Sequence, residues 1–148
     1  MKKIIVFILI LSAAFAFASG SYFVDRLTAA WKTDKILIVL APLGYQSERV
    51  GYVEVPCGFI TDLASVPKIP FIYEAFGGKA NAPAVIHDYL LCVDSVPKVT
   101  SSDANLVFLE AMEASGVPSW IRHPMYWGVC IGKWYGFKKR TVSGEIVQ

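Results

Sequence analysis

A change of hydrophobic period near the middle of the chain constrains its fold most. Ahead of residue 62 the apolar residues come in short β-branched runs; beyond residue 80 they recur at helical spacing. Lys35 to Leu40 is such a run, ends at Pro42 and predicts a strand. Leu43 to Glu48 reads as a turn or connector. Val50 to Val55 alternates loosely and predicts a second strand, Pro56-Cys57-Gly58 breaks it, and Gly58 to Thr61 is a third short extended piece. Between the two regimes, Asp62 to Lys79 carries Pro67, Pro70, Gly77 and Gly78, which predicts a long irregular loop.

Three helices follow in the pattern. The first spans about Asn81 to Cys92, with Asn81 as its N-cap and Pro83 in its first turn. The second starts at Ser101 or Ser102, carries the stripe Ala104, Val107, Phe108, Ala111, Met112, and stops at Gly116 ahead of Pro118. The third starts near Ser119 and carries Trp120, Ile121, Met125, Val129 and Cys130, with Pro124 placed to bend it. The short connection from Val96 to Thr100 folds the first two helices antiparallel. The expected class is α+β: short N-terminal strands and a long loop, then a three-helix region. A single globular domain is expected over residues 35–137, with an N-terminal segment over 19–34 and a fraying C-terminal tail over 138–148.

Residues 1–18 stand apart. Lys2-Lys3 precedes the apolar run from Ile4, and Ala16-Phe17-Ala18 has the form of a cleavage site, so a secretory signal peptide is expected. The alternative is an uncleaved anchor through residues 4–18, although that run falls short of the roughly 20 residues of a spanning helix. Either way the chain is expected outside the cytoplasm: secreted, periplasmic or held at the inner membrane. With 18% charged and 55% hydrophobic residues the remainder is globular, and a net charge of +2 is too small to imply nucleic acid. Lys138-Lys139-Arg140 reads as a solvated tail. Cys57, Cys92 and Cys130 allow at most one intrachain disulfide, and at least one of the three is expected as a small buried apolar residue.

The chemistry-bearing residues gather in the helical half. His87 and Asp88 are adjacent in the apolar stretch Ala82 to Leu91. Neighbours on a helix point about 100° apart, so the pair addresses two surroundings: His87 faces the second helix and Asp88 the preceding loop. That division suits a site in which His activates water and Asp holds a cation. It does not suit a zinc pair, because no second His follows one turn later. Asp103 has two readings, a favourable charge at a helix N-terminus or an orienting partner for His87. Asp62 likewise is an Asx-turn residue or a second oxygen ligand for a hard cation such as Ca²⁺. Tyr89 and Tyr126 are phenolic donors or packing residues, Ser65 lacks the surroundings of a nucleophile, and His123 reads as structural or surface.

Two resemblances extend this reading. The segments Pro56-Cys-Gly-Phe-Ile-Thr-Asp-Leu-Ala-Ser-Val-Pro67 and Ala84-Val-Ile-His-Asp-Tyr-Leu90, then Asp103 with Phe108 and Met112, and Met125-Tyr126 running to Gly132, resemble the phage and bacterial family known as domain of unknown function 1353. The resemblance covers roughly residues 36 to 137 and implies a phage or prophage origin. The order His-Asp, spacer, Asp is similar to prokaryotic secreted phospholipase A(2). That resemblance implies His87 as general base, Asp88 as calcium ligand, Asp103 as the residue orienting His87, and Asp62 with nearby carbonyls completing the calcium shell.

Two functions are therefore expected. One is an exported Ca²⁺-dependent hydrolase of lipid esters acting at a phospholipid surface, with Phe71, Ile72, Tyr73 and Phe76 as an apolar lip. The other is a non-enzymatic phage-type envelope protein, in superinfection exclusion, lysis or assembly, in which His87 and Asp88 form a structural network.

Overall fold

The computed structural model describes residues 20–63, 78–132 and 140–146. The strands are β1 (Tyr22–Phe23), β2 (Ala29–Thr33), β3 (Ile36–Val39), β4 (Leu43–Ser47), β5 (Gly51–Val55) and β6 (Ile60–Thr61), followed by helices α1 (Asn81–Leu90), α2 (Ser101–Ala114) and α3 (Ser119–Gly132). The class is α+β: small antiparallel sheets, then three helices.

The strands form two three-stranded sheets, in the orders β1-β4-β5 and β2-β3-β6. Alternation decides which side of β3 and of β5 faces inward. Leu37 and Val39 of β3 and Val53 and Val55 of β5 are buried, while Tyr52 and Glu54 are exposed. Leu43 to Ser47, read from sequence as a connector, is instead the central strand of its sheet, with Tyr45 opposite both Phe23 and Val53. Its Gly44, Gln46 and Ser47 carry little strand propensity; neighbours on both edges supply the order. The segment ahead of residue 35 also takes part, since β1 pairs with β4 and β2 with β3.

Helix α1 is buried nearly all round, from Pro83 to Leu90 with Asp88 at the rim, as expected of a helix enclosed by other elements. The expected N-cap is displaced. Ala80 occupies that position, no side chain caps it, and Asn81 is the first helical residue. Helix α2 starts as expected, with Thr100 as its cap accepting from the Asp103 amide. Helix α3 runs through Pro124, which has no amide to offer the carbonyl of Trp120. The core joins both halves: Tyr45, Val53 and Val55 with Val85, Ile86, Phe108, Met112 and Ile121.

The C-terminal residues are docked where fraying was expected. Arg140 and Ile146 form a β-bridge, the Val93 amide donates to the Arg140 carbonyl at 2.9 Å, and the Val142 amide donates to Asp94 Oδ1 at 2.7 Å. No helix among the described residues is long and apolar enough to cross a membrane. The expected leader, Ser65, the expected lip of Phe71, Ile72, Tyr73 and Phe76, and Lys138-Lys139 lie outside the described residues.

Candidate functional site

The geometry of α1 separates His87 from Asp88 as the helical repeat requires. His87 turns to α2, where its Nε2 lies 2.8 Å from Asn105 Oδ1 and its ring is tilted against Phe108 at 5.1 Å between centroids. Asp88 turns to the strand side, where Thr61 of β6 donates a short hydrogen bond to its Oδ2. The same Thr61 hydroxyl accepts from the Leu63 amide at 3.0 Å. Leu63 has a φ of 49°, the left-handed region that bulky side chains rarely adopt.

The His87–Asn105 contact fixes roles on both sides. Asn105 Nδ2 points to Cys130 Sγ on α3 at 3.5 Å, which leaves Oδ1 as the atom facing the imidazole. An amide oxygen only accepts, so Nε2 of His87 carries the proton and donates. Nδ1 has no hydrogen-bond partner and lies 3.8 Å from Asp88 Oδ1. In a His–carboxylate dyad of the triad type, the carboxylate accepts from one ring nitrogen and the other is left free for the reacting group. Here Asn105 engages one nitrogen and Asp88 faces the other, and His87 is only 1% exposed.

The polar line continues. The Cys130 thiol is hydrogen-bonded to the Tyr126 hydroxyl; that bond first, and burial second, raise the Tyr126 phenol above its usual range. His87, Asn105, Cys130 and Tyr126 thus join three helices through side-chain contacts, and Thr61 with Asp88 joins α1 to β6. A second knot lies where α2 meets the first sheet. Glu110 accepts from Ser21, from Tyr45 Oη at 3.0 Å and from the Glu48 amide at 3.1 Å, with Arg49 Nε 3.5 Å from its other oxygen. Burial pushes the Tyr45 phenol well up.

The expected orienting carboxylate is elsewhere. Asp103 accepts from the Thr100 hydroxyl at 2.6 Å while its own amide donates back to that hydroxyl at 3.1 Å. This reciprocal cap satisfies orphan groups of the helix start, and it is the helix-terminus reading of Asp103 that the structure contains. Asn105 takes the place on His87 that had been expected for Asp103.

Each member of the expected calcium pair has a protein partner. Asp62 Oδ2 lies 3.1 Å from Arg140 Nη2, and Asp88 is engaged by Thr61. Among the described residues no group of three or more His, Cys, Asp or Glu is placed to hold a metal ion.

Tyr89 serves the turn after α1: its hydroxyl accepts from the Val96 amide at 3.1 Å and its ring meets Phe59 edge-on at 5.7 Å. His123 is exposed, 6.5 Å from the Trp127 ring, as its surface reading anticipated. All three cysteines are free, and Cys92 is the buried one. Thr61, Asn105 and Glu110 were not singled out in the sequence, and Cys130 only as one of the three cysteines. Asn105 alone left a signal, a neutral amide on the same helical face as Phe108 and Met112.

Comparison with known proteins gives one match. A family model described as protein of unknown function (DUF1353) covers residues 37–129. No curated protein and no solved structure matches the chain, so the likeness to secreted phospholipase A(2) finds no support among them. The family match spans more than half of the chain, from β3 to the last turn of α3, and includes Thr61, His87, Asp88 and Asn105; the protein belongs to the DUF1353 family.

Proposed function

We propose that the chain is a non-catalytic, phage-type protein of the cell envelope, in which His87, Asp88 and their partners hold the sheets and helices in register for binding. The observation that carries this reading is the enclosure of His87: 1% exposed, with Nε2 committed to Asn105 at 2.8 Å. A general base must reach the proton it removes, directly or through one water. The envelope location rests on the basic start and apolar run of residues 2–18. Superinfection exclusion, lysis and assembly are the roles that suit such a protein.

The test replaces the polar pair by an apolar one. A chain with His87→Leu and Asn105→Leu removes donor and acceptor together, which leaves no buried group unsatisfied. Expressed in a bacterial host, it should change phage plating or host lysis as the wild-type chain does. Loss of that phenotype in a variant whose melting temperature is unchanged would overturn the scaffold reading.

One observation favours the second reading, a lipid ester hydrolase with His87 as base: Nδ1 has no hydrogen-bond partner and faces Asp88. It predicts release of fatty acid from phospholipid by the purified protein in the presence of Ca²⁺, abolished by His87→Gln. Calcium at Asp62 and Asp88 would have to compete with Arg140 and Thr61 for their carboxylates. No release above a protein-free control removes this reading.

A further inference from the structure

Helix α3 is apolar on two sides. Ile121, Met125 and Val129 enter the core, whereas Trp120, Trp127 and Ile131 are 67%, 61% and 60% exposed. With the exposed Pro124 they lie four, three and four residues apart, which is one continuous stripe along the helix. Scattered exposed apolar residues need no explanation; a stripe with two indole rings does. We propose that this face of α3 docks on the surface of a phospholipid bilayer, an inference that rests on the envelope location proposed above.

Three observations select lipid as the occupant. Tryptophan, with an apolar ring system and one N–H donor, is enriched where hydrocarbon meets headgroups. The helix from Ser119 to Gly132 contains no Asp or Glu, so no carboxylate of its own repels an anionic headgroup; His123 flanks the stripe, whereas Arg122 turns away from it and is paired with Glu113 at 2.8 Å. The chain also enters the fold close to its apolar leader. Ser21 is tied to Glu110, and the three residues from Ala18 to Ser21 reach at most about 10 Å. A leader lodged in a membrane therefore holds the folded body against that membrane. Residence so near the surface raises the effective concentration of any lipid-binding face, so even weak contacts are occupied.

The test uses the full chain in vesicles of phosphatidylethanolamine and phosphatidylglycerol, with and without bromine on the acyl chains. One variant, Trp31→Phe with Trp134→Phe, keeps only Trp120 and Trp127. The control, with Trp120, Trp127 and Trp134 each changed to Phe, keeps only Trp31 on β2. The brominated lipid should quench the first variant about twofold, as expected for indoles at the headgroup boundary, and leave the control unchanged. Flotation of the vesicles reports whether the chain is membrane-bound at all. Floating chain with unquenched Trp120 and Trp127 overturns the docking face and leaves the envelope reading intact. Chain that does not float overturns both. A change in Trp120 and Trp127 emission that follows protein concentration, equal with and without lipid, assigns the face to a second copy of the chain and also overturns the proposal. Thermal unfolding of each variant, matched to wild type, confirms that the substitutions leave the fold in place.

Discussion

An imidazole enclosed by Asn105, Phe108 and the end of α1 must keep its hydrogen bond or destabilise the fold. Asn105→Ala removes the acceptor of His87 Nε2 and should lower stability by about 1–3 kcal/mol, read from urea unfolding. Replacing both partners by Leu should recover a large part of that loss, because no buried group is then left unpaired. Asp103→Ala, two positions away, loses only its share of the Thr100 cap and should cost about 0.5–1 kcal/mol. The order of these values tests the assignment: an orienting role for Asp103 on His87 requires the reverse order. Adjacency of His87 and Asp88 let the sequence separate the two side chains correctly, since helical geometry does not depend on what each meets. Their partners were not legible. Asn105 and Thr61 are neutral, and a neutral side chain advertises nothing until the fold buries it beside an acceptor or donor.

Helix α2 is the element on which both halves converge. It packs on α1 through Phe108 and His87, on α3 through Asn105 and Cys130, and on β1 and β4 through Glu110. Phe108→Ala should cost about 3–5 kcal/mol, the range for a fully buried aromatic, and should broaden or abolish the cooperative unfolding transition. Its boundaries were readable because Ser101, the stripe to Met112, and Gly116 with Pro118 all agree. Strand β4 was not readable, because a central strand with Gly44, Gln46 and Ser47 takes its order from β1 and β5. The end of α1 carries a pH dependence. Burial first, and the charges of Asp94 and Asp88 next, push the Cys92 thiol up from its ordinary 9.0 to about 11. The folded state therefore retains that proton at a pH where the unfolded chain has released it. Stability is full below about pH 9 and falls as pH rises toward 11. Cys92→Ala should flatten that part of the alkaline decline in a series of thermal melts, while the raised Tyr45 phenol leaves a remainder.

Over the whole molecule, the first and last of the described residues are fastened to its middle. Residues 140–146 are held to the turn after α1 by the Val93 amide and by Asp94. Asp94→Ala should speed hydrogen exchange at the Val142 amide while shifting global stability by less than about 0.5 kcal/mol, as for most surface substitutions. Hydrogen exchange equally fast before and after the substitution would show that the contact is not populated in solution. At the other end, Ser21 meets a carboxylate 89 residues further along the chain, whereas His87 meets Asn105 across 18. The difference is one of timing. Short-range contacts close as soon as their helices exist, but a contact spanning most of the chain must wait for the intervening segments and their loop-closure entropy. A chain that emerges N-terminus first can bring α1 and α2 together while β1 still lacks its partner on Glu110. The N-terminal strand is thus among the last elements to be secured, and the segment around Ser21 stays accessible to whatever handles it until α2 is complete.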